Sequence, residues 1–139
     1  MIKHFLLIFG IFLLILSSCQ KYEPVTNPSD IYGTWGGEGL VMVIGPEGAT
    51  LEYDCATGTI NEPILPDAKG MFQVTGTHKA LSMPVGMPDA PPANIQPAHI
   101  SGTIEGQTMV VTVTLDVSET VLGTYRLTFG DPGTLFRCL

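Results

Sequence analysis

Two stretches decide the fold: Met109-Val110-Val111-Thr112-Val113-Thr114-Leu115, and Val121-Leu122-Gly123-Thr124-Tyr125-Arg126-Leu127-Thr128-Phe129 shortly after it. In the first, Met109, Val111, Val113 and Leu115 share one parity, with Thr112 and Thr114 on the other. In the second, Val121, Gly123, Tyr125, Leu127 and Phe129 alternate with Leu122, Thr124, Arg126 and Thr128. The period is two, that of a strand with one buried face. No window past the first twenty residues carries apolar residues at helical spacing without a Gly or Pro in it.

Outward from this pair, the same alternation recurs between turn residues. One strand is expected from Gly33 to Ile44, with Trp35, Val41 and Val43 on one parity. Gly45-Pro46-Glu47-Gly48 then turns the chain into Ala49–Cys55, where Leu51 and Tyr53 alternate with Thr50 and Glu52. Shorter strands follow near Gly58–Asn61, around Phe72 and Val74, and over Ile100–Ile104. Glu105-Gly106 reads as a tight hairpin, and Asp131-Pro132-Gly133 as a turn into a last strand, Thr134–Cys138. That makes eight strands joined mostly by short turns. The expected fold is all-β, an eight-stranded antiparallel up-and-down barrel, with a β-sandwich as the alternative. In the first strand Leu40, Met42 and Ile44 lie opposite Trp35 in parity, so something must cover the outer face there.

Composition agrees. The chain has 139 residues, enough for one domain, and its 16 Gly and 11 Pro favour short elements. Acids outnumber bases 13 to 6, which excludes a phosphate-neutralising surface and hence nucleic acid as a partner. A 45% apolar content excludes disorder for most of the chain.

The N-terminus reads as an address. Lys3 precedes the apolar run Phe5–Leu16, too short for a membrane span and of signal-peptide length. Leu16-Ser17-Ser18-Cys19 resembles the lipobox of bacterial lipoproteins, in which the cysteine is lipidated and the peptide cut before it. The resemblance implies a signal peptide over 1–18, a lipidated Cys19 with a tether over 19–31, and a barrel domain over 32–139. It places the protein in the cell envelope, lipid-anchored at the outer membrane on its periplasmic face or at the cell surface. With Cys19 lipidated, Cys55 and Cys138 remain in an oxidising compartment and are expected to form a disulfide. In a closed barrel, the ends of strands two and eight share a rim, which would bring these two cysteines together. Their spacing lacks the close ligand pairs of a zinc site.

Gly33-Thr34-Trp35, preceded by Ser29-Asp30-Ile31-Tyr32, resembles the Gly-x-Trp opening of lipocalin-like (calycin) barrels. The resemblance implies that Trp35 plugs the barrel floor and that a basic residue of the last strand, here Arg137, packs over it. Trp35-Gly36-Gly37 and Tyr53-Asp54-Cys55-Ala56 also resemble segments shared by a group of small bacterial proteins without an assigned role.

No motif calls for a metal, a cofactor or a catalytic residue. Gly-x-Ser-x-Gly, His-Glu-x-x-His and a phosphate-cradling Gly loop are missing from the sequence. His78 and His99 flank the segment Leu81–Pro97 and could meet at its base with Asp89, yet two rim histidines are the simpler reading. Glu52 and Asp54 share the parity expected to face solvent. Pro84, Pro88, Pro91, Pro92 and Pro97 keep residues 83–97 out of helix and central strand. Within that segment Met83, Val85, Met87 and Ile95 offer apolar contacts to a partner or ligand, with Trp35 a further candidate. The large residues Trp35, Tyr53, Phe72, Tyr125, Phe129 and Phe136 are expected to fill the interior. The expected role is therefore a membrane-anchored protein-interaction module rather than an enzyme. The alternative is lipocalin-like binding of a small lipophilic ligand, with protease inhibition behind both.

Overall fold

A single turn of 3-10 helix, Pro28–Ile31, leads into β1 (Gly33–Gly36), β2 (Leu40–Gly45), β3 (Gly48–Tyr53) and β4 (Ala56–Ile60). The chain continues through β5 (Met71–Ala80), β6 (Ile95–Glu105), β7 (Thr108–Leu115) and β8 (Val121–Phe129). This computed structural model describes residues 27–81 and 95–138. Each strand pairs antiparallel with the next, and β8 returns to β1, so the sheet is a closed up-and-down barrel and not a sandwich. Closure leaves no long exposed sheet edge.

The strand directions define two ends. The 3-10 helix, the β2–β3 and β6–β7 turns and the loop 61–70 lie at one end, the floor. The β1–β2, β3–β4 and β7–β8 turns lie at the other, together with Ala80 and Ile95. Ile31 and Ile64, 1% and 2% exposed, join the core from the floor side. Trp35 is 1% exposed and donates its indole N–H to the Ile31 carbonyl at 2.8 Å. Its ring meets Phe129 edge-on, with centroids 5.1 Å apart. Trp35 therefore closes the floor, as its resemblance implied. The basic cap does not form: among the described residues the ring partner of Trp35 is Phe129, while Arg137 sits with Cys138 at the opposite end.

The expected first strand is two strands. Gly37-Glu38-Gly39 turns the chain back, with Gly37 N–H bonded to the Leu40 carbonyl at 3.0 Å and Gly39 at φ +79°. Only glycine takes that conformation without steric cost. Four residues, 37–40, separate the paired Gly36 and Val41, and this even number reverses parity along the sequence: Trp35 lies opposite Met42, and both point inward. Leu40, Met42 and Ile44 are thus core, at 0%, 0% and 3% exposure, while Val43 faces out. The outer face of this strand carries Val41 and Val43 instead, and the C-terminal strap lies against Val41.

The expected last strand, Thr134–Cys138, is a strap. From Gly130 the chain crosses the outside of β1 and β2, touching the sheet through one isolated parallel bridge between Glu38 and Thr134. Gly36 makes room for it, because a Cβ there would lie 2.2 Å from the Asp131 carbonyl oxygen. Phe136 N–H donates to Asp54 Oδ1 at 2.7 Å, and Cys138 forms a disulfide with Cys55, their Cα atoms 5.1 Å apart. The expected pairing is therefore present, though neither cysteine is in a strand. Cys55 occupies the β3–β4 turn at φ +60°, and Cys138 ends the strap. The count of eight survives because the split of the first strand offsets the loss of the last.

β6 begins at Ile95, earlier than the prolines suggest, and contains Pro97. The Pro97 carbonyl accepts from Asp116 N–H at 3.0 Å. Pro97 has no N–H to return to Asp116, so the β6–β7 ladder ends at the pair Ala98 and Leu115.

A second gap is filled by a side chain. β4 pairs only with Thr77–Ala80 of β5, so Met71–Gly76 have no β4 partner. There, Glu62 accepts from Thr75 N–H at 2.5 Å and from the Thr75 hydroxyl at 2.7 Å. These bonds, backbone first, favour the charged carboxylate and hold Glu62 below its ordinary value of 4.5. A lowered folded-state pKa stabilises the fold above the unfolded value, and the contribution disappears as pH falls through the folded value. Glu62→Gln is therefore expected to lower the melting temperature at pH 7 and to change it little at pH 3. An equal effect at both pH values would contradict this role.

Candidate functional site

The interior comes first, since a barrel of eight strands can hold a ligand or fill itself. Among the described residues every buried side chain is apolar or aromatic, and Leu51, Ile100, Met109, Val111, Val113 and Leu127 are each at 0–1% exposure. Trp35, Tyr53 and Phe72 fill space as expected. Tyr125 is half-buried, whereas Phe129 and Phe136 are 37% and 68% exposed and do not belong to the filling. The parity that suggested Phe136 failed because its segment is strap.

At the open end Tyr53 packs against His78 and Tyr125, with ring centroids 5.6 Å and 6.0 Å away. Tyr53 Oη and His78 Nδ1 are buried with no hydrogen-bond partner among the described residues. Burial pushes the Tyr53 phenol well up and the His78 imidazole down, so both are neutral at pH 7. Burial, and then the Asp54 carboxylate, also raises Tyr125. Tyr53, His78 and Tyr125 thus form an aromatic layer at the end opposite the floor.

The two histidines do not meet. His78 is paired with Gln96 and faces inward; His99 is paired with Thr75 and faces outward. His99 Nδ1 instead contacts Asp116 Oδ1 at 2.8 Å. Among the described residues, no group of three His, Cys, Asp or Glu side chains could hold a metal ion. Glu52 and Asp54 are exposed on the outer side, and Asp54 anchors the strap.

Two outer features remain. The first is the rim of the open end, where Leu81, Ile95, Val117 and Val121 are 43%, 61%, 82% and 58% exposed. Ile95 is thus exposed at this rim. Trp35 is not, because it is sealed in the floor. Cys19, the tether, Met83, Val85, Met87 and Asp89 lie outside the described residues. The second feature is a cleft of about 850 Å³ between the strap and the outer face of β2–β5. Its residues come from three distant segments and alternate with core positions, so no local pattern announced it. A smaller depression of about 450 Å³ lies on the outer face of β5–β7.

No family model matches the chain, and comparison with curated proteins and with solved structures also gives no match.

Proposed function

We propose that the protein is a lipoprotein of the bacterial envelope, anchored through Cys19, whose barrel presents its open-end rim to a partner protein. One observation carries this reading: Leu81, Ile95, Val117 and Val121 form an exposed apolar rim at the end opposite the one where the chain enters the barrel, while Leu65 and Met71 are exposed at the floor. The 3-10 helix enters at the floor, while Ile95, Val117 and Val121 stand at the far rim. Anchoring at one end and contact at the other suit a module that faces away from its membrane. The filled interior favours work on the outside over ligand storage within. Exposed aliphatic side chains rimmed by polar groups are a common mark of protein contact.

The test uses the full chain in its native cell, with a photo-crosslinking residue at Val117 or, as control, at Thr112 on the wall. A discrete protein adduct from Val117 and none from Thr112 is expected. Its yield should fall when Ile95→Glu and Val121→Glu are added. Equal adducts at both sites, or none, would contradict the reading. Cys19→Ser is expected to shift the protein out of the membrane fraction, and retention there would remove the anchor from the account.

A further inference from the structure

The strap cleft combines two things that rarely share a surface on so acidic a chain. Its floor is a row of outward side chains in register across four strands: Val41 beside Glu52, Glu52 beside Thr57, Thr57 beside Lys79. Its wall is the strap, with Leu135, Phe136 and Arg137, and Leu81 forms the lip. The apolar part is held open. Phe136 is 68% exposed, yet its backbone is pinned by Asp54 and its near neighbour Cys138 by the disulfide. The backbone that carries the ring is therefore held beside the cleft.

The charged part is equally specific. The chain has only 6 Lys and Arg against 13 Asp and Glu, and Lys79 and Arg137 both line this one cleft. Among the described residues the sole ion pair is His99 with Asp116, so neither cation is matched by a carboxylate. Glu52 is the one acid in the lining, and it makes no ion pair with either. Two unmatched cations beside Val41, Leu81, Leu135 and Phe136 are complementary to a molecule with an anionic head and an apolar chain. A volume of about 850 Å³ falls within the range of small-molecule clefts.

We propose that this cleft binds a free amphiphilic anion, an alkyl chain with a carboxylate or phosphate head. The head sits between Lys79 and Arg137, and the chain lies along Phe136 and Leu135. Arg137 offers a planar fork suited to either head. On the anchor reading proposed above, the occupant is a diffusing molecule rather than a bilayer lipid, because the cleft is lined by Cys55, Leu81 and Cys138 at the end opposite the one where Pro28–Ile31 leads into the barrel. This site meets the rim proposed for protein contact at Leu81, but its cations Lys79 and Arg137 are not rim residues, so a loss of anion binding and a loss of the protein adduct are read separately.

The probe is octyl phosphate, titrated calorimetrically into the full-length protein in zwitterionic nanodiscs, with empty nanodiscs subtracted. One-to-one binding is expected for octyl phosphate and none for octyltrimethylammonium. Lys79→Gln with Arg137→Gln should weaken octyl phosphate roughly tenfold or more. Phe136→Ser should weaken it as well, and added salt should do so progressively. All three changes are on the surface, and unchanged melting temperatures would show that the fold is intact. Equal binding of the cationic and anionic probes, or an unaffected charge variant, would overturn the proposal. So would recruitment to anionic vesicles without binding of the free probe, since the cations would then serve a membrane contact.

Discussion

Replacing Trp35 by alanine is expected to cost about 3–5 kcal/mol, the largest effect of any single substitution in this barrel. The side chain is 1% exposed and closes the floor. Its removal loses the packing of the indole, the edge-on contact with Phe129, and the bond to the Ile31 carbonyl. The last loss leaves a buried acceptor unpaired, which alone costs about 1–3 kcal/mol. Against a typical total stability of about 5–15 kcal/mol, such a change removes a large part of the fold's margin. Trp35→Phe separates the contributions, because it keeps an aromatic plug and removes the N–H donor. It should fall between wild type and alanine in urea unfolding. A cost below ~1 kcal/mol for Trp35→Ala would mean that the floor is closed by something else.

The second large effect is expected from removing the Cys55–Cys138 disulfide by a double serine substitution. The two cysteines are separated by 83 positions. Chain-entropy reasoning for such a loop gives about 4.5 kcal/mol, within a usual range of about 0–5. The location strengthens the expectation. β1 and β8 close the barrel through only two residue pairs, Trp35 with Phe129 and Gly36 with Thr128. The strap continues from β8 across β1 and β2 and is fastened at the β3–β4 turn, so it braces the weakest seam from outside. The reduced protein should therefore lose amide protection first in β1 and β8. Uniform loss across all strands, or no loss, would contradict the bracing role.

Much of this architecture is legible in the residues, and the exceptions have physical causes. β7 alternates cleanly because one face is core and the other solvent, whereas in β8 only Leu127 of the apolar parity is buried. The first strand misleads because the turn Gly37-Glu38-Gly39 lies between apolar residues, Trp35 before it and Leu40 after it. Alternation cannot reveal a turn flanked by apolar residues on both sides. Thr134–Cys138 misleads for the opposite reason: Leu135 and Phe136 look like strand residues but lie on the outside of the barrel. The disulfide was legible by counting thiols, and it holds although the strand argument for it does not. The aromatic mouth was partly legible in Tyr53 and Tyr125. The strap cleft was not, because Val41, Lys79 and Arg137 become neighbours only when the barrel closes and the strap crosses it. Ile95 at the rim was legible as an apolar residue in a proline-rich setting, whereas Val117 and Val121 became rim residues only with the topology.

The central claim is that the barrel interior is full, so that the protein works from its outer surface. Methyl NMR of the folded protein, titrated with benzene as a small neutral apolar probe, tests it most directly. Benzene enters empty apolar cavities in protein cores. The account predicts that the methyl signals of Leu51, Ile100 and Val111 stay in place across the titration. Saturable shifts of those three together would show an open chamber and contradict it.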